Sequence, residues 1–175
     1  MGWHHTTRQR WHVRGRVFFG MLAESALLGF VLLVVAIIQW HLVARMGAAA
    51  PADAVVTQAT IAVTSPRSIV RRLIGFAGAG IYEEVLFRLL LLPLLYAVVG
   101  LVCTPWTIRA GTAIVLSSLA FAAAHYVAPG GESFAWFSFV FRTLAGGFFA
   151  LLFVLRGFGI AAGCHALYDI FVGIL

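Results

Sequence analysis

Charge is scarce in this chain: of 175 residues only 10% are Asp, Glu, Lys or Arg, lysine is absent, and the acidic side chains number six. With 62% hydrophobic residues and a mean hydropathy of +1.01, too little polar surface is left to cover a water-soluble globule. Cysteine is nearly missing as well. Cys103 is expected near a helix end and Cys164 inside a helix, so a disulfide framework has no basis and the pair carries no information on redox compartment. What the chain does have is long apolar runs and arginine. All twelve basic residues are Arg. Arg8, Arg10, Arg14 and Arg16 crowd together ahead of the first apolar run, where a short basic tail reads as a cytoplasmic membrane anchor and not as a nucleic-acid-binding arm.

The runs divide the chain into an all-α, polytopic membrane bundle of about five transmembrane helices. Residues 1–16 form the basic cytoplasmic tail, with Trp3 and Trp11 at interfacial positions, and 17–46 form the first transmembrane helix. Glu24 falls in the first turns of that helix, where a carboxylate reaches the interface. Residues 47–68 read as a loop, and 69–175 as the helical core that carries the chemistry. In that core Pro93 is expected to kink or end the helix before it, because proline lacks a backbone donor. Gly75, Gly78 and Gly80 are spaced to let another helix approach. Arg142, inside the fourth span, reads as an internal ion-pair partner or a snorkelling side chain. The last span stops without a polar tail, as in a truncated or minimal version of a longer protein. These features place the chain as an integral membrane protein with the lipid bilayer as its first partner.

The segment Gly80-Ile-Tyr-Glu-Glu-Val-Leu-Phe-Arg88 stands out, because it sets two carboxylates and a guanidinium in an otherwise apolar run. Each such group near the middle of a membrane helix costs roughly 2.5 to 3.5 kcal/mol on insertion scales. Glu84 and Arg88 are four apart on one helix face, in the favourable order for an ion pair. Glu83 is turned about 100° away and has no partner within its own helix, so it must meet one from another segment. A surplus carboxylate of this kind points to function or to a proton site.

Two further helices bring ionisable groups into apolar surroundings: His125, and His165 with Asp169. This inventory suits hydrolysis, in which a carboxylate takes a proton from water, a histidine relays it and polar groups stabilise an oxyanion. Two histidines and carboxylates are also a catalytic zinc ligand set, so Glu83, His125, His165 and Asp169 are equally the candidate ligands of one zinc ion. Spacing alone does not choose between the two. Carboxylates and histidines inside a bundle also build proton-coupled carriers, and a non-catalytic immunity or scaffold protein is a further alternative.

Glu83-Glu84-Val85-Leu86-Phe87-Arg88 resembles the E-E-x-x-x-R motif of the CPBP family of CAAX proteases and bacteriocin-processing intramembrane proteases, also called the ABI family. Phe121-Ala-Ala-Ala-His125 is similar to its F-x-x-x-H motif. His165-Ala-Leu-Tyr-Asp169 is similar to its H-x-x-x-N motif, with Asp in place of Asn, and the order and separations agree. The resemblance implies an intramembrane endopeptidase acting on a membrane protein or peptide substrate, in a bacterial inner membrane, and no nucleic acid. It further implies that Glu83 and His125 activate water while His165 and the residue at Asp169 form the oxyanion site. Glu84, Arg88 and Phe121 are the supporting residues. An ionised Asp169 cannot donate a hydrogen bond as asparagine does, so it implies a protonated carboxyl, a metal ligand or an inactive centre.

Overall fold

A computed structural model describes residues 14–45, 66–102, 105–127 and 131–174. Among these residues all regular structure is helical: α1 (Gly15–Arg45), α2 (Pro66–Glu84), a π-helical segment (Val85–Leu91), α3 (Leu92–Val99), α4 (Trp106–Val127), α5 (Trp136–Arg156) and α6 (Phe158–Ile174). Helices are the expected solution, because a backbone inside hydrocarbon must satisfy its own hydrogen bonds. Of these, α1, α4 and α5 are long and apolar enough to cross a membrane, whereas α6 is apolar but shorter. The sequence counts two more spans. The α2–α3 rod carries Arg71, Arg72, Glu83, Glu84 and Arg88, which lower its apolarity.

The bundle is organised on α6, against which α1, α2 and α5 all pack, while α4 packs on α5 and α3. Small residues set these approaches. A Cβ on Gly29 of α1 would lie 3.2 Å from the Cys164 carbonyl oxygen, one on Gly80 of α2 would lie 3.0 Å from the Ala166 nitrogen, and one on Gly146 of α5 would lie 3.1 Å from the Ser118 Cα. Backbones this close gain dispersion contacts that bulkier side chains forbid. The glycine-spacing expectation is thereby met at Gly80 alone, since Gly75 and Gly78 have nothing within 4 Å. The main core joins Leu32, Ala145, Phe149, Leu152, Ala161 and Cys164 from α1, α5 and α6.

Two boundaries differ from the sequence reading. Helical structure begins at Pro66, inside the expected 47–68 loop, and it runs through Pro93 without a break. The wider π winding ends at Leu91, and the Leu92 N–H bonds back to the Phe87 carbonyl. Pro93 therefore falls at the start of a fresh α segment, where its missing N–H and its ring are tolerated. By contrast, α5 does stop sharply. Gly157 takes φ +86° and sends its N–H back to the Leu152 and Phe153 carbonyls at 3.2 and 3.0 Å, which reverses the chain into α6.

Glu24 does not face the interface unpaired. Its two oxygens accept from Nε and Nη2 of Arg156, both at 2.6 Å, and tie α1 to the corner between α5 and α6. Arg142 is an ion-pair partner, donating to Glu132 Oε1 at 2.8 Å. Cys164 is buried and unbonded. Residues 1–13 of the basic tail, most of the 47–68 loop and Cys103 lie outside the described residues.

Candidate active site

The three ionisable groups of the central motif separate at the α2–π junction. Glu84 and Arg88 turn inward, both fully buried, with Arg88 Nε 3.1 Å from Glu84 Oε2. Arg88 Nη2 donates to the Gly146 carbonyl at 2.9 Å, and its guanidinium lies 4.8 Å from the Phe121 ring centre and 5.6 Å from that of Phe149. The cation is thus matched by a carboxylate, a carbonyl dipole and two ring faces. Ser117 Oγ donates at 3.2 Å to the Phe87 carbonyl, supporting the widened backbone beside the pair.

Glu84 has a second partner that sequence did not reveal. Its Oε1 accepts from His165 Nδ1 at 2.9 Å, so one buried carboxylate bridges Arg88 and His165. A carboxylate can only accept, which fixes a proton on Nδ1 and leaves Nε2 to face the site. His125 is fixed in the same sense, because its Nδ1 lies 2.9 Å from the Phe121 carbonyl, another pure acceptor. Both rings therefore present Nε2.

Glu83 lies where those two atoms point. Its Oε2 is 3.9 Å from His125 Nε2 and 3.7 Å from His165 Nε2, and this oxygen is buried with no hydrogen-bond partner among the described residues. Asp169 Oδ2 is 3.7 Å from His165 Nε2. The four candidate residues thus come together from α2, α4 and α6. Phe121 is the hinge of the frame, its ring edge-on to His125 at 5.1 Å and to His165 at 5.7 Å, while Phe149 stacks on His165 at 4.3 Å. Phe149 and the Gly146 carbonyl escaped the sequence reading. Nothing in the sequence distinguishes Phe149 from the other phenylalanines of α5.

Glu83 and His125 keep 27% and 25% of their side-chain surface exposed, and the helices that carry them, α2 and α4, lack extensive mutual packing. A bound zinc ion would be held by His125 Nε2, His165 Nε2, Glu83 Oε2 and Asp169 Oδ2. As placed, these atoms do not fit it: among the described residues no three His, Cys, Asp or Glu side chains group closely enough to share an ion. What the arrangement can do without one is hold a small donor molecule between Glu83 and His125, with His165 Nε2 beside it.

Compared with known families, residues 65–171, more than half of the chain, match the family described as "Type II CAAX prenyl endopeptidase Rce1-like". No curated protein and no solved structure matches.

Proposed function

The chain belongs to the Rce1-like family of type II CAAX prenyl endopeptidases, and we propose that it is an intramembrane endopeptidase in which Glu83 is the general base for a water nucleophile. The observation that carries this reading is the meeting of Glu83 Oε2 with both imidazole Nε2 atoms at 3.7 and 3.9 Å. Those separations are too long for direct hydrogen bonds and short enough for one water to bridge. A water there donates one hydrogen to Glu83 and the other to His125 Nε2, which aims a lone pair at the substrate carbonyl. As the new C–O bond forms, Glu83 takes the first proton. The carbonyl electron pair becomes an oxyanion, which accepts from His165 in its doubly protonated form and from a protonated Asp169. Glu83 then passes its proton to the leaving amine as the C–N bond breaks, so protons and electrons balance across the two steps.

Glu84 and Arg88 position the site and touch no reacting atom: Glu84 orients His165, and Arg88 holds Glu84 in place. The substrate of this reading is a prenylated peptide whose lipid stays in the bilayer and whose scissile bond enters between α2 and α4, where Glu83 and His125 are exposed. The arginine-rich N-terminus supports a cytoplasmic face for the tail, and a bacterial inner membrane is the proposed location. The test is cleavage of a prenylated peptide by purified protein in lipid vesicles. The parent should cleave, and Glu83→Gln should lower kcat by on the order of 100-fold to 10,000-fold with unchanged folding. An inert parent, or a fully active Glu83→Gln protein, would overturn the proposal.

A further inference from the structure

Arg142 is the second cation near the site, and its surroundings differ from those of Arg88. Arg88 is closed in by Glu84 and the Gly146 carbonyl. Arg142 instead reaches toward the end of α4: its guanidinium lies 5.4 Å from the ring centre of Tyr126, next to His125, and Nη2 donates to Glu132 Oε1 at 2.8 Å. Glu132 is itself anchored on the site, its N–H donating to the His125 carbonyl at 3.1 Å. Glu132 remains 51% exposed whereas Arg142 is only 18% exposed, so the carboxylate covers the cation from the solvent side. The other terminal nitrogen, Nη1, is buried and has no hydrogen-bond partner among the described residues. Arg88 Nη1 is likewise buried without a partner among the described residues, but Arg88 is fully enclosed, whereas Arg142 keeps 18% of its side chain open to an incoming group.

Position along α5 gives that donor a use. Phe149, which stacks on His165, and Arg142 are seven residues apart, two helical turns on one face and about 10 Å along the axis. A peptide cut after the modified cysteine of a C-a-a-X terminus has three residues beyond the scissile bond, and extended chain covers about 3.3 Å per residue, again about 10 Å. Resting on the proposed peptidase reading, we infer that Arg142 receives the free C-terminal carboxylate of the substrate and so sets the distance from chain end to scissile bond. Glu132 holds the guanidinium in place before substrate arrives. The incoming carboxylate then takes Nη1 and competes with Glu132 for Nη2, the paired geometry in which arginine binds carboxylates best.

The experiment uses the full chain in phosphatidylcholine vesicles with a farnesylated peptide ending in Cys-aliphatic-aliphatic-Met, presented as the free acid, as the C-terminal amide, and as an acid lengthened by one residue. The parent should cleave the acid better than the amide by on the order of 10-fold to 100-fold in kcat/KM, with the difference in KM. The lengthened acid should lose a similar factor. Arg142→Gln should bring the acid-to-amide ratio to about one, and Arg142→Lys should restore part of it. Equal cleavage of acid and amide by the parent overturns the role of Arg142 and leaves the peptidase reading standing, as does an Arg142→Gln protein that keeps the full ratio. Should Arg142→Gln not fold, the three peptides on the parent decide the matter. Cleavage of none of them overturns the peptidase reading itself.

Discussion

Glu84 is a fully buried carboxylate between two cation-forming neighbours, Arg88 at 3.1 Å and His165 Nδ1 at 2.9 Å. Glutamine there would still accept one hydrogen bond but would leave the Arg88 charge buried without its counter-ion. Breaking a buried pair from one side costs about 3 to 5 kcal/mol. Glu84→Gln should therefore lower the unfolding temperature in detergent markedly, in contrast to Glu83→Gln, whose fold should persist. A Glu84→Gln protein as stable as the parent would contradict this division of roles. Asp169 poses a separate question, because its Oδ2 lies 3.7 Å from His165 Nε2, at the place proposed for an oxyanion. An asparagine amide at this position would donate without needing an added proton, so Asp169→Asn should keep or raise activity, and metal analysis should find no stoichiometric zinc in the parent. Zinc lost together with activity in Asp169→Asn would reverse the mechanism. That Glu83 has no partner within its own helix and that Glu84 pairs with Arg88 were legible in sequence, because i to i+4 spacing decides both. The bond from Glu84 to His165 was not, since 81 residues separate them.

At the scale of elements, the site depends on how closely α2 approaches α6. Gly80 precedes the glutamate pair by one turn, and a Cβ there would already stand 3.0 Å from the Ala166 nitrogen and 3.2 Å from its Cα. Both obstacles are backbone, which cannot rotate away. Gly80→Leu should push α2 outward, costing about 1 to 3 kcal/mol in overpacking, and should separate Glu83 from His165 so that cleavage falls sharply. Gly78→Leu, at a position with nothing within 4 Å, is the matched control and should cost little. Equal effects of the two substitutions would count against close packing as the device that sets the site. The π segment is a second such device. Wider winding over Val85–Leu91 ends directly before Pro93, where the sequence pattern alone implied a kink or an end.

At the scale of the whole molecule, α6 is the common partner, with α1 on one side and α2 on another. The match to the endopeptidase family covers 65–171, so α1 lies outside it, yet α1 docks closely, with Gly29 against Cys164 and Tyr168 and Glu24 clasped by Arg156. This leaves α6 covered on both flanks, so His165 is only 5% exposed although it sits in a helix shorter than α1, α4 and α5. Glu83, on α2, keeps 27% of its side chain exposed against 6% for His165.

Composition and its long unbroken apolar runs determined by themselves that the chain is an all-α membrane protein, because such runs satisfy their backbone in lipid as helices, whereas a barrel needs short alternating strands. The order of the three polar motifs likewise determined which residues were candidates. Helix periodicity added the Glu84–Arg88 pair, a relation internal to one helix. Everything that required two separate segments was decided by tertiary structure: Glu84 reaching His165, Glu24 meeting Arg156, Arg142 meeting Glu132, and Phe149 stacking under the imidazole. The reason is physical. A repeat of 3.6 residues fixes which side chains share a face, but the rotation and separation of one helix against another are set by where small residues let backbones touch, and several glycines offered themselves where only some were used.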